Sequence, residues 1–194
     1  MPEPQRLEEP LDSFVREIAL CVATNGDKGP ALFWPENSDT LPELQRLARS
    51  VCPPDGWPAA VGNPGFRAAG TGPARVKGLL PQSATIGPKA ELLAATIGDV
   101  LGLPVRASYR FLPSAAIGAR QASGAAEYVV TVLNGACRCR VTRDGNASAG
   151  PGRGAVDLRL RGGGTLFVPR NHAYDLLDVH TPTVLMELVL GDPG

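Results

Sequence analysis

The chain has 194 residues, 43% of them hydrophobic, enough for one soluble domain with a sizeable core and tight for two. Its 19 basic and 19 acidic residues cancel and no Lys/Arg run exceeds two, so neither a nucleic-acid footprint nor a polybasic membrane anchor is expected. No apolar run approaches the roughly 20 residues needed to span a bilayer. The opening Met-Pro-Glu-Pro stretch lacks the basic and apolar regions of a secretory signal, so a cytoplasmic protein is expected. The four cysteines, Cys21, Cys52, Cys137 and Cys139, follow neither Cys-x-x-Cys spacing nor a secreted framework, so reduced thiols are expected.

Apolar positions at Leu11, Phe14, Val15, Ile18 and Val22 predict a helix over 11–22, with Asp12 or Ser13 near its cap. Pro30–Pro35 reads as a short strand. A second helix fits 41–51, with Pro42 in its first turn. Residues 52–77 are dense in Pro, Gly and Ala and read as an irregular segment, a candidate lid. Helical spacing returns over 88–101, with Gly102 as its stop.

From Val105 the pattern changes to period two, which marks a sheet region. Strands are expected at 105–112, 127–133, 136–142, 155–161, 165–169, 173–179 and 183–190. Asn134-Gly135 is the strongest hairpin signal, because both residues tolerate the positive φ of a type I′ turn. Residues 144–154 read as a longer connection. Gly150–Gly154 and Gly162–Gly164 lack the Gly-Lys-Ser/Thr ending of a phosphate loop and read as turns. The chain divides into a helical and irregular segment, 1–84, packed on a barrel, 85–194.

Four stretches carry a family resemblance: Ile97-Gly-Asp-Val-Leu-Gly-Leu-Pro104, Val105 to Pro113, Tyr128 to Val141, and Gly164-Thr-Leu-Phe-Val-Pro-Arg-Asn-His-Ala-Tyr174. In order and spacing, over roughly residues 85 to 190, the chain resembles the JmjC-like branch of the cupins, the ribosomal-oxygenase type of iron and 2-oxoglutarate hydroxylase. The resemblance implies a mainly β fold, a double-stranded β-helix or jelly-roll barrel with an N-terminal helical preface. It also places the family's His-x-Asp pair on Ala122 and Gly124 and its third metal ligand on Tyr174. Ala and Gly cannot ligate, and a phenol with a pKa of about 10 replaces imidazole poorly. The family's cosubstrate positions fall on Ser108 and Cys137, and near Leu190, none of them cationic. A degenerate metal site follows, with no cofactor expected. Fe(II) and 2-oxoglutarate would return only if the ligands lie elsewhere.

Alternation puts Cys137 and Cys139 on one face, the barrel interior by resemblance, where packing as small hydrophobes competes with a Cys-x-Cys chelate or a nucleophile. His172 and Tyr174 point inward together on the same reasoning. Tyr174 could donate a hydrogen bond to a carbonyl or enolate, or plug the barrel with its hydroxyl on a backbone partner. Arg110 shares a face with Ser108 and could hold a carboxylate or pair with Glu127. Glu127 is the general-base candidate, while Glu187, facing opposite to Met186 and Leu188, is read as a surface carboxylate. His180 reads as a solvated turn residue. The expected lining is Ser108, Arg110, Thr131, Leu133, Cys137, Cys139, Tyr174, Met186, Leu188 and Leu190, suited to a small, largely apolar organic metabolite.

Catalytic roles are accordingly expected at Tyr174, Arg110, His172 and Glu127, in a metal-independent cyclisation, isomerisation or dehydration. The alternatives are a 2-oxoglutarate hydroxylase with unusual ligands, and a non-catalytic module. Homodimerisation is a further expectation by fold analogy.

Overall fold

The computed structural model describes residues 7–51, 83–84, 86–112, 119–121, 126–143 and 155–191. The elements in chain order are α1 (Glu9–Asn25), β1 (Ala31–Phe33), α2 (Thr40–Arg49), β2 (Ser83–Ala84), α3 (Pro88–Leu101), β3 (Val105–Leu112), β4 (Ala119–Gln121), β5 (Glu127–Arg143), β6 (Ala155–Arg161), β7 (Thr165–Val168) and β8 (His172–Leu190). The candidate lid at 52–77 and the connection at 144–154 lie outside the described residues, as do Ala122 and Gly124.

The three helices form where the spacing predicts. α1 starts earlier than its polar residues implied, because Pro10 sits in the first turn, where its missing N–H costs nothing. Ser13 caps nothing and instead donates to Glu17 Oε1 at 3.1 Å. α3 ends at Gly102, whose φ of 67° is the left-handed stop that glycine adopts freely.

The hairpin expected at Asn134-Gly135 and the turn expected at His180 are both absent. Residues 127–133 and 136–142 belong to one 17-residue strand, β5, and residues 173–179 and 183–190 to one 19-residue strand, β8. The two pair antiparallel from Glu127↔Leu190 to Arg143↔His172, with register shifts between Val132 and Arg138. At this bulge Gly135 takes φ 86°, so the Asn-Gly signal marked a left-handed backbone correctly but a bend rather than a turn. Asp178, φ 46°, bends β8 opposite.

The long ribbon folds over on itself there. Tyr174 is opposite Val141 and Glu187 opposite Val130, eleven residues apart along β5, roughly 36 Å in a straight strand. Yet the Tyr174 hydroxyl bonds the Glu187 carboxylate. One half of the ribbon therefore lies in a sheet ordered β1-β7-β5-β8-β3-β2, and the other half carries β6 and β4 on its flanks. The fold is mainly antiparallel β, a jelly-roll barrel with a helical preface, as expected.

Two cores result. One joins α1, α2 and α3 to the outer face of the first sheet through Ala107, Tyr109, Val129, Leu133, Phe167, Met186 and Leu188. The other fills the space between the two halves with Leu112, Tyr128, Val130, Val132, Cys137, Cys139, Leu160, Tyr174, Leu176 and Leu185. Along β5 the interior residues are even-numbered before the bulge and odd-numbered after it, and along β8 the parity also switches. An extra residue in a strand exchanges its faces. That corrects the expected lining: Leu133, Met186, Leu188 and Leu190 pack under the helices, and Thr131, on the same face as Leu133, bonds Thr165 Oγ1 at 3.1 Å. It corrects Glu187 too, which points into the barrel, 3% exposed.

Candidate functional site

Among the described residues, three strands deliver the polar groups around Glu187 in the barrel interior. β3 presents Arg110, β8 presents both Tyr174 and Glu187, and β5 presents Tyr128. Arg110 donates from Nη2 to Glu187 Oε1 at 2.9 Å, and Tyr174 donates its hydroxyl to Glu187 Oε2. The Tyr128 ring meets Tyr174 edge-on, centroids 5.8 Å apart at 63°. Such a contact sets the positive ring edge of one against the negative face of the other.

Glu187 is thus a buried carboxylate held by a guanidinium and a phenol, an arrangement that offsets the large cost of removing its charge from water. Burial, then the Glu187 charge, pushes the Tyr174 phenol well above its ordinary pKa. The same two causes raise Tyr128. Both phenols stay protonated, and the array as a whole carries no net charge. Arg110 keeps one buried group, Nε, without a hydrogen-bond partner among the described residues. Its side chain is 18% exposed against 4% for Glu187, so Arg110 connects the array to the outside.

The two cysteines share the interior. Burial pushes the Cys137 thiol up to about 11 and Cys139 higher still, with Cys137 and two aspartates adding to the effect. Thiols held protonated are weak nucleophiles and weak ligands, so both pack as small hydrophobes.

Of the residues nominated from sequence, Arg110 and Tyr174 come together, with Glu187 as the bridge, and Ser108 lies opposite Glu187 in the β3–β8 register. His172 stands apart, half-buried at the end of β8, its Nδ1 3.1 Å from the Arg170 carbonyl oxygen. Glu127 is also elsewhere, 3.7 Å from Arg170 Nε. Arg110 therefore pairs with Glu187 and not with Glu127. Tyr128 and Glu187 were missed as site residues. A signal for Glu187 existed: a lone acid inside Val184-Leu-Met-Glu-Leu-Val-Leu190 occupies a strand apolar on both faces, where a charge needs an internal partner. No group of three metal-ligating side chains occurs among the described residues.

Tyr174→Phe keeps the ring and deletes one donor to a charged acceptor. A loss of about 2 kcal/mol is expected in urea denaturation, with the midpoint shifted and the slope unchanged.

Glu127 predicts a pH effect. Burial raises its pKa from 4.5, opposed by Arg170 and assisted by Asp27. The folded protein then holds this proton more tightly than the unfolded chain, so its contribution to stability is full below 4.5 and is lost as pH rises through the raised value. Glu127→Gln should flatten the fall in melting temperature between 4.5 and that raised value. An identical pH profile in both proteins would contradict the assignment.

No family model matches the chain, and no curated protein matches it. Solved structures similar to it include vicilin from hazelnut (Corylus avellana), 11% identical over 61% of this chain and 31% of that one, TM-score 0.43. The chain thus spans about a third of vicilin's length. The Schizosaccharomyces pombe Cnp3 cupin domain is 18% identical over 45% of this chain and 53% of its own, TM-score 0.35. Streptomyces albus HEPD, with 2-hydroxyethylphosphonate and Fe(II) bound, is 19% identical over 45% of this chain and 18% of its own, TM-score 0.36. Cupin-fold proteins are therefore among the structures this chain is similar to. Among the described residues no helix is long and apolar enough to cross a membrane.

Proposed function

We propose that this is a cupin of the JmjC-like lineage that works without iron, holding a small, largely apolar organic molecule at the Arg110 end of the barrel. The observation that carries the reading is the buried Arg110–Glu187–Tyr174 array. Tyr174 spends its proton as a donor to Glu187, which is the opposite of what a metal-ligating phenolate requires. Arg110 is already neutralised by Glu187, so among the described residues the array has no spare cation for a dicarboxylate such as 2-oxoglutarate. What it offers is a neutral surface with a guanidinium, a phenol and a carboxylate in one hydrogen-bonded chain.

That set suits proton transfer next to a carbonyl. Arg110 hydrogen-bonds the oxygen, Glu187 accepts a proton from the adjacent carbon and returns it at another atom, and Tyr174 tunes Glu187 through their shared bond. An isomerisation, cyclisation or dehydration needs no more than this. Apolar walls supplied by Leu112, Val130 and Leu185 exclude water from the array.

The test is direct. Small molecules released by denaturing the purified protein are compared by mass spectrometry for wild type and Arg110→Ala, before and after exhaustive chelation. A compound retained by wild type after chelation and absent from Arg110→Ala is expected. Stoichiometric iron, with the compound lost on its removal, would refute the metal-free reading.

A further inference from the structure

The outer face of the β6 strand presents a charge arrangement that its own sheet does not resolve. Arg138 on β5 is directly opposite Arg159 on β6, and Arg140 is directly opposite Asp157. The second pair is satisfied, with Arg140 Nε and Nη2 donating to the two Asp157 oxygens at 2.7 and 3.0 Å. The first sets like charges side by side, an unfavourable cross-strand pairing. Arg138 pairs with Asp178 at 2.7 Å and more loosely with Asp157 at 3.5 Å, and Arg159 has no carboxylate partner among the described residues.

On its other side Arg159 borders an open edge, since β6 pairs with β5 alone among the described residues. The edge of this seven-residue strand that faces away from β5, unpaired among the described residues, is a template for another strand. The inner face of β6 is unfinished as well: Leu160 is buried and Leu158 half-buried, while Val156 is 44% exposed.

We infer that β6 pairs antiparallel with β6 of a second copy of this chain, about a two-fold axis at Leu158. The sequence Ala-Val-Asp-Leu-Arg-Leu-Arg selects this register by charge. Centred on Leu158, Asp157 of each copy lies opposite Arg159 of the other, twice by symmetry, and Val156 lies opposite Leu160. Centring on Asp157 or on Arg159 would set like charges against each other on the axis. In the selected register each row reads Arg140, Asp157, then the second copy's Arg159 and Arg138, so each Arg159 gains the carboxylate neighbour that its own sheet does not give it. The inner face gains a continuous apolar row from Val156 to the second copy's Leu160. A strand this short buries less than the about 1,600 Å² of a standard interface, so the dimer is weak and concentration-dependent. The inference is independent of whether the barrel holds a small molecule.

Sedimentation of the full chain from micromolar to near-millimolar concentration tests it, using Arg159→Asp, Asp157→Arg and an equimolar mixture of the two. Each variant alone places two like-charge pairs at the axis and should raise the dimer dissociation constant about tenfold or more. The mixture places opposite charges at both positions and should dimerise like wild type. Misfolded variants would not recover on mixing, so recovery reports the register itself. A wild type that stays monomeric throughout overturns the inference, as does a dimer indifferent to both substitutions or variants that fail to complement.

Discussion

Glu187→Ala should destabilise the protein by about 3 kcal/mol, the low end for breaking a buried ion pair, because Arg110 can turn partly to solvent. Its removal strands two donors at once, the Arg110 guanidinium and the Tyr174 hydroxyl. A surface glutamate at the same place would cost within about half a kcal/mol, so chemical denaturation separates the two placements cleanly. The partner experiment sharpens it. Combining Glu187→Ala with Tyr174→Phe should cost less than the sum of the two, since the second substitution deletes a donor the first has already orphaned. Strict additivity would mean that the hydroxyl and the carboxylate do not interact.

Gly135→Ala is the other large effect, and it acts through the backbone. A Cβ built on Gly135 falls 2.5 Å from Thr183 Oγ1, 2.6 Å from the Pro182 carbonyl oxygen and 2.9 Å from Thr183 Cα. Two of these are backbone atoms of β8, which cannot swing away as a side chain can. The residue also holds φ at 86°, where an L side chain adds strain of its own. Together the clash and the strain should cost about 3 kcal/mol or more, with the melting temperature lowered accordingly. Gly102→Ala is the control. It shares the left-handed φ but has open space around its Cβ, so only the conformational cost of about 1 kcal/mol should appear. Equal losses at both glycines would show that β5 and β8 do not approach closely at the bend.

The bend also explains which parts of the site were legible beforehand. Arg110 and Tyr174 were nominated correctly as interior residues because each belongs to a run of strand whose alternation is unbroken around it. Alternation put Cys137 and Cys139 on one face and the family resemblance turned that face inward, where both pack in the barrel core. The errors at Leu133, Met186, Leu188 and Glu187 share one origin. Alternation was carried across Asn134-Gly135 on β5 and across Asp178 on β8, and at both places the strand changes which face it shows.

Local chemistry was enough, by itself, for the three helices, the start and end of β3 and β6, the left-handed stop at Gly102 and the positive φ at Gly135. Each depends on spacing or on one residue's allowed backbone angles, which neighbours in sequence already contain. Only the tertiary structure decided that Gly135 bends a strand instead of closing a hairpin, because that depends on β8, about fifty residues away, lying alongside both halves of β5. The same long-range pairing turned Glu187 inward and set it between Arg110 and Tyr174. A period of two records which residues of a strand share a face, and it holds no memory of that face once an extra residue intervenes.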